Sequence, residues 1–284
     1  MGYGLMNKKN LRNFLETSAL GRVILIPYRL KIAFSYYQQP LKNIIFWSIN
    51  SREYTNFTYD LDDLNKRYLA AFVAVITGVE LKVIKSYIAE LEQDELLKTH
   101  IEKLTMLSHE RYVADPQARY GRRLGWYAFV RAKKPKLVIE TGVDKGLGSC
   151  VITAALMKNA KEGCQGYMYG TDINPRAGYL LQPPYNQYGQ ILYGDSIETL
   201  KRLSEPIHIF INDSDHSAEY EMKEYETIAG KLADDALIIG DNAHCSEKLL
   251  KFAQMSGRNF LFFQEQPQAH WYSGAGIGVA FSKR

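Results

Sequence analysis

The chain has 284 residues, 46% of them hydrophobic and 23% charged, with a net charge of +4. These values place it among ordinary globular proteins able to bury a sizeable core, in one large domain or two modest ones. Its three cysteines, Cys150, Cys164 and Cys245, include no C-x-x-C pair. An odd, scattered set excludes a disulfide framework or a zinc site and fits a reducing, cytoplasmic compartment.

Charge is unevenly spread. Residues 1–52 carry eight Lys or Arg against one acid, Glu16, which leaves the remainder slightly acidic at 27 basic to 30 acidic. A solvated face is the ordinary reading of such a segment. A peripheral contact with an anionic membrane or an acidic partner stays open. The most hydrophobic early stretch, residues 19–28, is interrupted by Arg22 and Pro27 and is shorter than the ~20 residues a bilayer span needs. It reads as core or as an amphipathic surface segment.

The next part reads as helical. Leu61, Leu64, Tyr68, Phe72, Val75 and Ile76 recur at helical spacing, with Thr58 or Asp60 as the expected cap. Ile84, Tyr87, Ile88 and Leu91 continue the pattern, then Leu97, Ile101, Leu104 and Leu107. Each stripe predicts a core-facing side. The texture changes across residues 110–135, so a helical region over 1–115 and a second domain over 116–284 are expected.

From residue 136 onward, short β-rich runs alternate with helical segments. The runs are 136–142, 167–173, 190–195, 207–213, 236–242, 260–266 and 276–281. Strand–helix alternation with continuous apolar strands predicts a Rossmann-like, doubly wound α/β fold. Its seven-stranded sheet is mostly parallel and ends in an antiparallel hairpin. In such sheets ligands sit at the carboxyl ends of strands. Those ends read Glu140-Thr-Gly142, Asp172, Gly194-Asp195, Asp213-Ser-Asp215-His216 and Asp241-Asn242. Any one of them suits a helix cap; five in succession predict a shared ligand site.

The strand and turn Val138-Ile-Glu-Thr-Gly-Val-Asp-Lys-Gly-Leu-Gly-Ser149, followed by Asp172 and Gly194-Asp195-Ser196, resembles the class I S-adenosylmethionine-dependent methyltransferases. The glycines Gly142, Gly146 and Gly148 do not fit the dehydrogenase spacing G-x-G-x-x-G. The resemblance covers roughly residues 120–284. It implies that the turn, with Glu140, Gly142, Gly146, Gly148 and Ser149, holds the methionine part of the cofactor. By the same resemblance Asp172 holds the ribose, and Asp195 with Ser196 the adenine.

Ile211-Asn-Asp-Ser-Asp-His216 with Gly240-Asp-Asn242 is similar to the metal-dependent O-methyltransferases of the catechol, caffeoyl-coenzyme A and macrolide-sugar types. That likeness implies Mg²⁺ or another divalent cation on Asp213, Asp241 and Asn242, a donor set that suits a hard ion. His216 stands where the catechol type has a lysine base, and a histidine suits proton abstraction near neutrality. His244 is the second candidate base. Asp215 is expected to serve the cofactor or to orient His216, and Asp213 to touch both ion and cofactor.

The expected activity is methyl transfer to a hydroxyl of a small molecule or sugar. The residues leave three alternatives open: a metal-independent methyltransferase, a nicotinamide-dependent oxidoreductase, and a non-catalytic cofactor-binding protein. Nucleic acid is not an expected partner, because the second half is not basic; homo-oligomerisation stays open. By analogy with the family, the N-terminal helices are expected to act as a lid, substrate cap or dimerisation element. Tyr185, Tyr188, Trp271 and Tyr272 are candidates to line the acceptor pocket. Arg119, Arg122 and Arg123 are expected to be solvated or to meet an anionic acceptor.

Overall fold

Seven strands form one sheet: β1 (Leu137–Thr141), β2 (Tyr167–Asp172), β3 (Gly189–Tyr193), β4 (Ile207–Asn212), β5 (Leu232–Gly240), β6 (Asn259–Gln264) and β7 (Gly276–Phe281). Their order is β3-β2-β1-β4-β5-β7-β6. β1 to β5 pair in parallel, while β7 is antiparallel to both β5 and β6. This computed structural model describes residues 8–55, 58–241 and 243–282. The sheet and its closing hairpin are those the sequence predicts. β1 is buried at every position and β4 at five of six, as a sheet covered on both faces requires.

The helices between strands are α8 (Leu147–Lys161), α9 (Ser196–Arg202), α10 (Ala218–Ile228) and α11 (Lys248–Met255). Ahead of β1 lie α4 (Asp63–Thr77), α5 (Leu81–Glu92), α6 (Glu95–Leu107) and α7 (Arg123–Lys133). α7 is buried from Leu124 through Arg131. A helix apolar on every side shows no period, so its sequence read only as a change of texture. α4 is present, but it buries Asn65, Leu69, Val73 and Ile76, while Leu64, Tyr68 and Val75 are exposed. The expected stripe was out of phase because Leu61 lies outside the helix, bridged to Pro267. The cap is Asp62, whose side chain accepts from the Asn65 N–H at 2.7 Å.

The chain forms two compact units. The larger comprises residues 52–268 and 272–284, so the expected boundary at 115/116 falls inside it, and α4 packs on α7 through Leu69 against Gly125. The smaller comprises residues 1–51 and 269–271. Its described helices are α1 (Lys8–Thr17), α2 (Ala19–Ile24) and α3 (Ile26–Asn50). Within residues 19–28 only Gly21 is buried, so that stretch is surface.

Candidate functional site

Strand register builds the site. Thr171, Thr141, Asn212 and Gly240 lie side by side across β2, β1, β4 and β5. The chain therefore presents Asp172, Gly142, Asp213 and Asp241 at one rim. The strand order reverses between β1 and β4, which opens a crevice there. Gly142 has φ +81°, and a Cβ on it would collide with the Asp213 carbonyl, so only glycine lets these two turns cross.

The crevice is a cavity of about 960 Å³. Gly142, Asp172, Gly194, Asp195 and Ser196 line it, as do Asp213, Asp215, His216 and His244. The Asp172 carboxylate accepts from the N–H groups of Val143 and Asp144, both at 3.0 Å, and from Asn174 at 2.8 Å, and so shapes the turn it adjoins. Asp195 caps α9 through the Glu198 N–H at 3.0 Å and accepts from the Tyr220 hydroxyl at 3.2 Å. Gly194, at φ +137°, has open space where a side chain would stand. Tyr272 also lines the cavity.

Other candidates lie elsewhere. Side chains alternate along β1, so Glu140 and Thr141 face opposite ways. Glu140 is buried and accepts from the Ser149 hydroxyl at 2.6 Å; burial pushes its carboxyl up to about 8. Gly148 lies against Glu140 and Trp126, and Gly146 against Gly178. Glu140, Gly146, Gly148 and Ser149 therefore support the turn from behind. Tyr185 is buried against the His100 ring, 4.8 Å away, and Tyr188 packs on the core. Trp271 belongs to the smaller unit, 5.3 Å from Trp47.

Glu224, on α10, escaped the sequence reading. It is fully buried and accepts from Thr141 Oγ1 at 3.0 Å, from Ser214 Oγ at 2.9 Å, and from Ser196 and Asn212. Burial raises its carboxyl above the usual range. One side chain thus ties the ends of β1 and β4 to the start of α9. The available signal was Glu221, Glu224, Tyr225 and Ile228, a spacing that puts carboxylates on the helix's apolar face.

The expected metal ligands meet a different fate. Asn242 lies outside the described residues. Asp241 is completely buried, and its two oxygens accept from Nε and Nη2 of Arg122. Arg122 Nη1 donates to the Tyr59 hydroxyl at 2.6 Å, and that hydroxyl donates to Glu265 at 2.8 Å. Burial pulls the Asp241 carboxyl upward, but the Arg122 charge and hydrogen bonds more than offset this and hold it below the usual range. Asp213 is pushed well above its usual range by burial and by Asp241; Arg123 Nη2 lies 4.0 Å from it.

Among the described residues, no three or more His, Cys, Asp or Glu gather in a way suited to a metal ion. Arg122 already satisfies Asp241 and sets a fixed positive charge on its oxygens, so this donor set does not fit a divalent cation. Of the expected magnesium ligands, the two described carboxylates thus face a guanidinium at Asp241 and the Arg123 side chain at Asp213. Of the two expectations for Arg122, solvation or an anionic acceptor, the first does not hold: its side chain is 11% exposed.

His216 Nε2 stands 3.7 Å from Asp213 Oδ1, and its side chain is 36% exposed beside the cavity. His244 is exposed, with Nε2 3.4 Å from the Cys245 sulfur; burial, and then the Arg122 charge, lower its imidazole below the usual range.

Comparison with known proteins bears on the readings of this crevice. Residues 139–243 match the sequence family described as methyltransferase domain. This stretch of the chain is similar to a methyltransferase domain. The matched stretch runs from β1 to just past β5 and contains most of the cavity wall. Among solved structures, a methyltransferase from Geobacter sulfurreducens aligns with 72% of this chain and 99% of its own. Its TM-score is 0.50 at 17% identity. An O-methyltransferase from Bacillus cereus in complex with SAH covers 70% of this chain and all of its own, with TM-score 0.49 and 14% identity. A search of curated proteins returned no match. The matched stretch lies within the larger unit, and the crevice sits at its strand ends.

Proposed function

We propose that the protein is an S-adenosylmethionine-dependent O-methyltransferase that methylates a hydroxyl of a small molecule or sugar, with His216 as the base. One observation carries this reading. A single cavity has Gly142, Asp172, Gly194 and Asp195 on one side of the strand crossover and Asp213 and His216 on the other. The first group suits a nucleoside: a carboxylate at the end of β2 for ribose hydroxyls, and open backbone at Gly194 for a flat ring. The second group places an imidazole beside the remaining space.

Bound S-adenosylmethionine supplies an electrophilic methyl group on a sulfonium. The chain's own work is alignment and proton removal. Holding donor and acceptor in attack geometry is worth as much as ~7–11 kcal/mol of barrier. His216 Nε2 accepts the hydroxyl proton as the oxygen attacks, which contributes typically ~10²–10⁴-fold. Arg122 stays on Asp241 throughout and keeps the floor of the crevice rigid.

Calorimetry tests the cofactor half of this reading. S-adenosylhomocysteine is expected to bind the wild type. Asp172→Ala should weaken it by about 10–100-fold, the worth of hydrogen bonds to a charged acceptor. Binding of NAD in its place would sink the reading. Because Arg122 holds Asp241, turnover is expected to be the same in EDTA as in Mg²⁺. Loss of activity in EDTA, restored by Mg²⁺, would reinstate the ion.

A further inference from the structure

The smaller unit has a surface that the methyl-transfer site does not explain. No residue of α3 is buried. Leu30, Phe34, Tyr37, Leu41 and Ile44 follow at three- and four-residue spacing, on one face of the helix, and are 43–62% exposed. Leu20, Val23 and Ile24 of α2 are exposed as well. Exposed apolar area on this scale marks an interaction site.

Charge selects the partner. Across residues 8–50 there are seven Lys or Arg and one acid. All seven cations, Lys8, Lys9, Arg12, Arg22, Arg29, Lys31 and Lys42, are exposed, and Glu16 is already paired with Arg12 at 2.7 Å. A groove of about 380 Å³ in the same unit is lined by Lys8, Arg12, Arg29 and the Arg12-paired Glu16 together with Leu15, Leu25 and Tyr28. Cations over an apolar floor match a phosphate headgroup above acyl chain.

We infer that α1 to α3 dock on an anionic phospholipid bilayer. The helices lie along its surface, with Leu30, Phe34, Tyr37 and Leu41 in the acyl boundary and the Lys and Arg side chains among headgroups. No helix among the described residues is long and apolar enough to cross a membrane, and Arg29, Lys31 and Lys42 interrupt α3. A second copy of the chain is the other occupant such a face admits. It would bring two surfaces of the same sign together, whereas anionic lipid complements the charge.

Flotation of the full chain with vesicles tests the inference. Vesicles with about a third phosphatidylglycerol should carry the protein upward, and pure phosphatidylcholine should carry at least roughly tenfold less. Raising the salt should weaken the difference. Arg12→Glu with Arg29→Glu should lower binding roughly tenfold or more, and so should Phe34→Ser with Leu41→Ser. All four side chains are exposed, so the fold should survive, which a thermal melt checks. Protein left at the bottom with both vesicle types overturns the inference. So does a dimer in light scattering that Phe34→Ser with Leu41→Ser converts to monomer, because a second copy then covers the face.

Discussion

Replacing Arg122 with alanine is expected to cost about 3–5 kcal/mol of folding stability, the usual loss when one partner of a buried ion pair is removed. The reason lies in what stays behind. Asp241 and Glu265 are both fully buried, and Arg122 is the cation that touches Asp241 and lies 3.7 Å from Glu265. Without it, Asp241 keeps its desolvation and loses its compensation.

The pH dependence of that loss has a definite sign. In the wild type the Asp241 carboxyl titrates below its unfolded value. It therefore contributes stability above the unfolded pKa, and loses it as pH falls through the folded one. In Arg122→Ala, burial loses its main opposition, with only the Asp213 hydrogen bond and the Arg123 charge remaining, and the folded pKa is expected to rise above the unfolded one. The penalty then grows as pH rises between the two. Urea midpoints should thus separate variant from wild type most near neutrality and least in acid. A double change, Arg122→Met with Asp241→Asn, should cost less than the two single changes added together. A separation that is independent of pH, or additive costs, would show that Arg122 contributes packing and not charge.

The contrast between Arg122 and the strands around it shows what a sequence discloses. β4 was readable because Ile207, Ile209, Phe210 and Ile211 make a mostly apolar run that stops at Asn212-Asp213, and its neighbours repeat the pattern. The row of strand-end acids followed from that, and with it most of the cavity wall. Arg122 carried no such mark. Its partner is 119 positions away, and only the register of β5 brings Asp241 to it. Asp241 then read as a free ligand, because local sequence cannot tell a carboxylate held by a guanidinium from one open to an ion. Glu140 shows the same limit on a smaller scale. The motif placed it on the right strand, but pleat alternation aims it at Ser149 behind the turn. α3 falls in the expected helical region, but its bounds were not legible: its apolar residues extend beyond one stripe, and none is buried among the described residues, so no inward face marks its course.

His216→Ala is the other change with a large expected effect, and it acts on rate instead of stability. It should lower kcat by about 10²–10⁴-fold, the usual contribution of a positioned base. The affinity for S-adenosylhomocysteine should be unchanged, because the ring sits beyond the crossover from Asp172 and Asp195. At 36% exposure the side chain holds little of the core, so the variant should melt with the wild type. His244→Ala is the matched control. It faces the same cavity and carries the same functional group, but burial and the Arg122 charge hold its imidazole below the usual range. A base of lowered pKa is the weaker proton acceptor, so this variant should lose far less rate. Equal losses from the two would mean that both rings shape the pocket and neither takes the proton. A large loss at His244 alone would move the base to the β5 side of the crevice, beside Arg122 and Asp241.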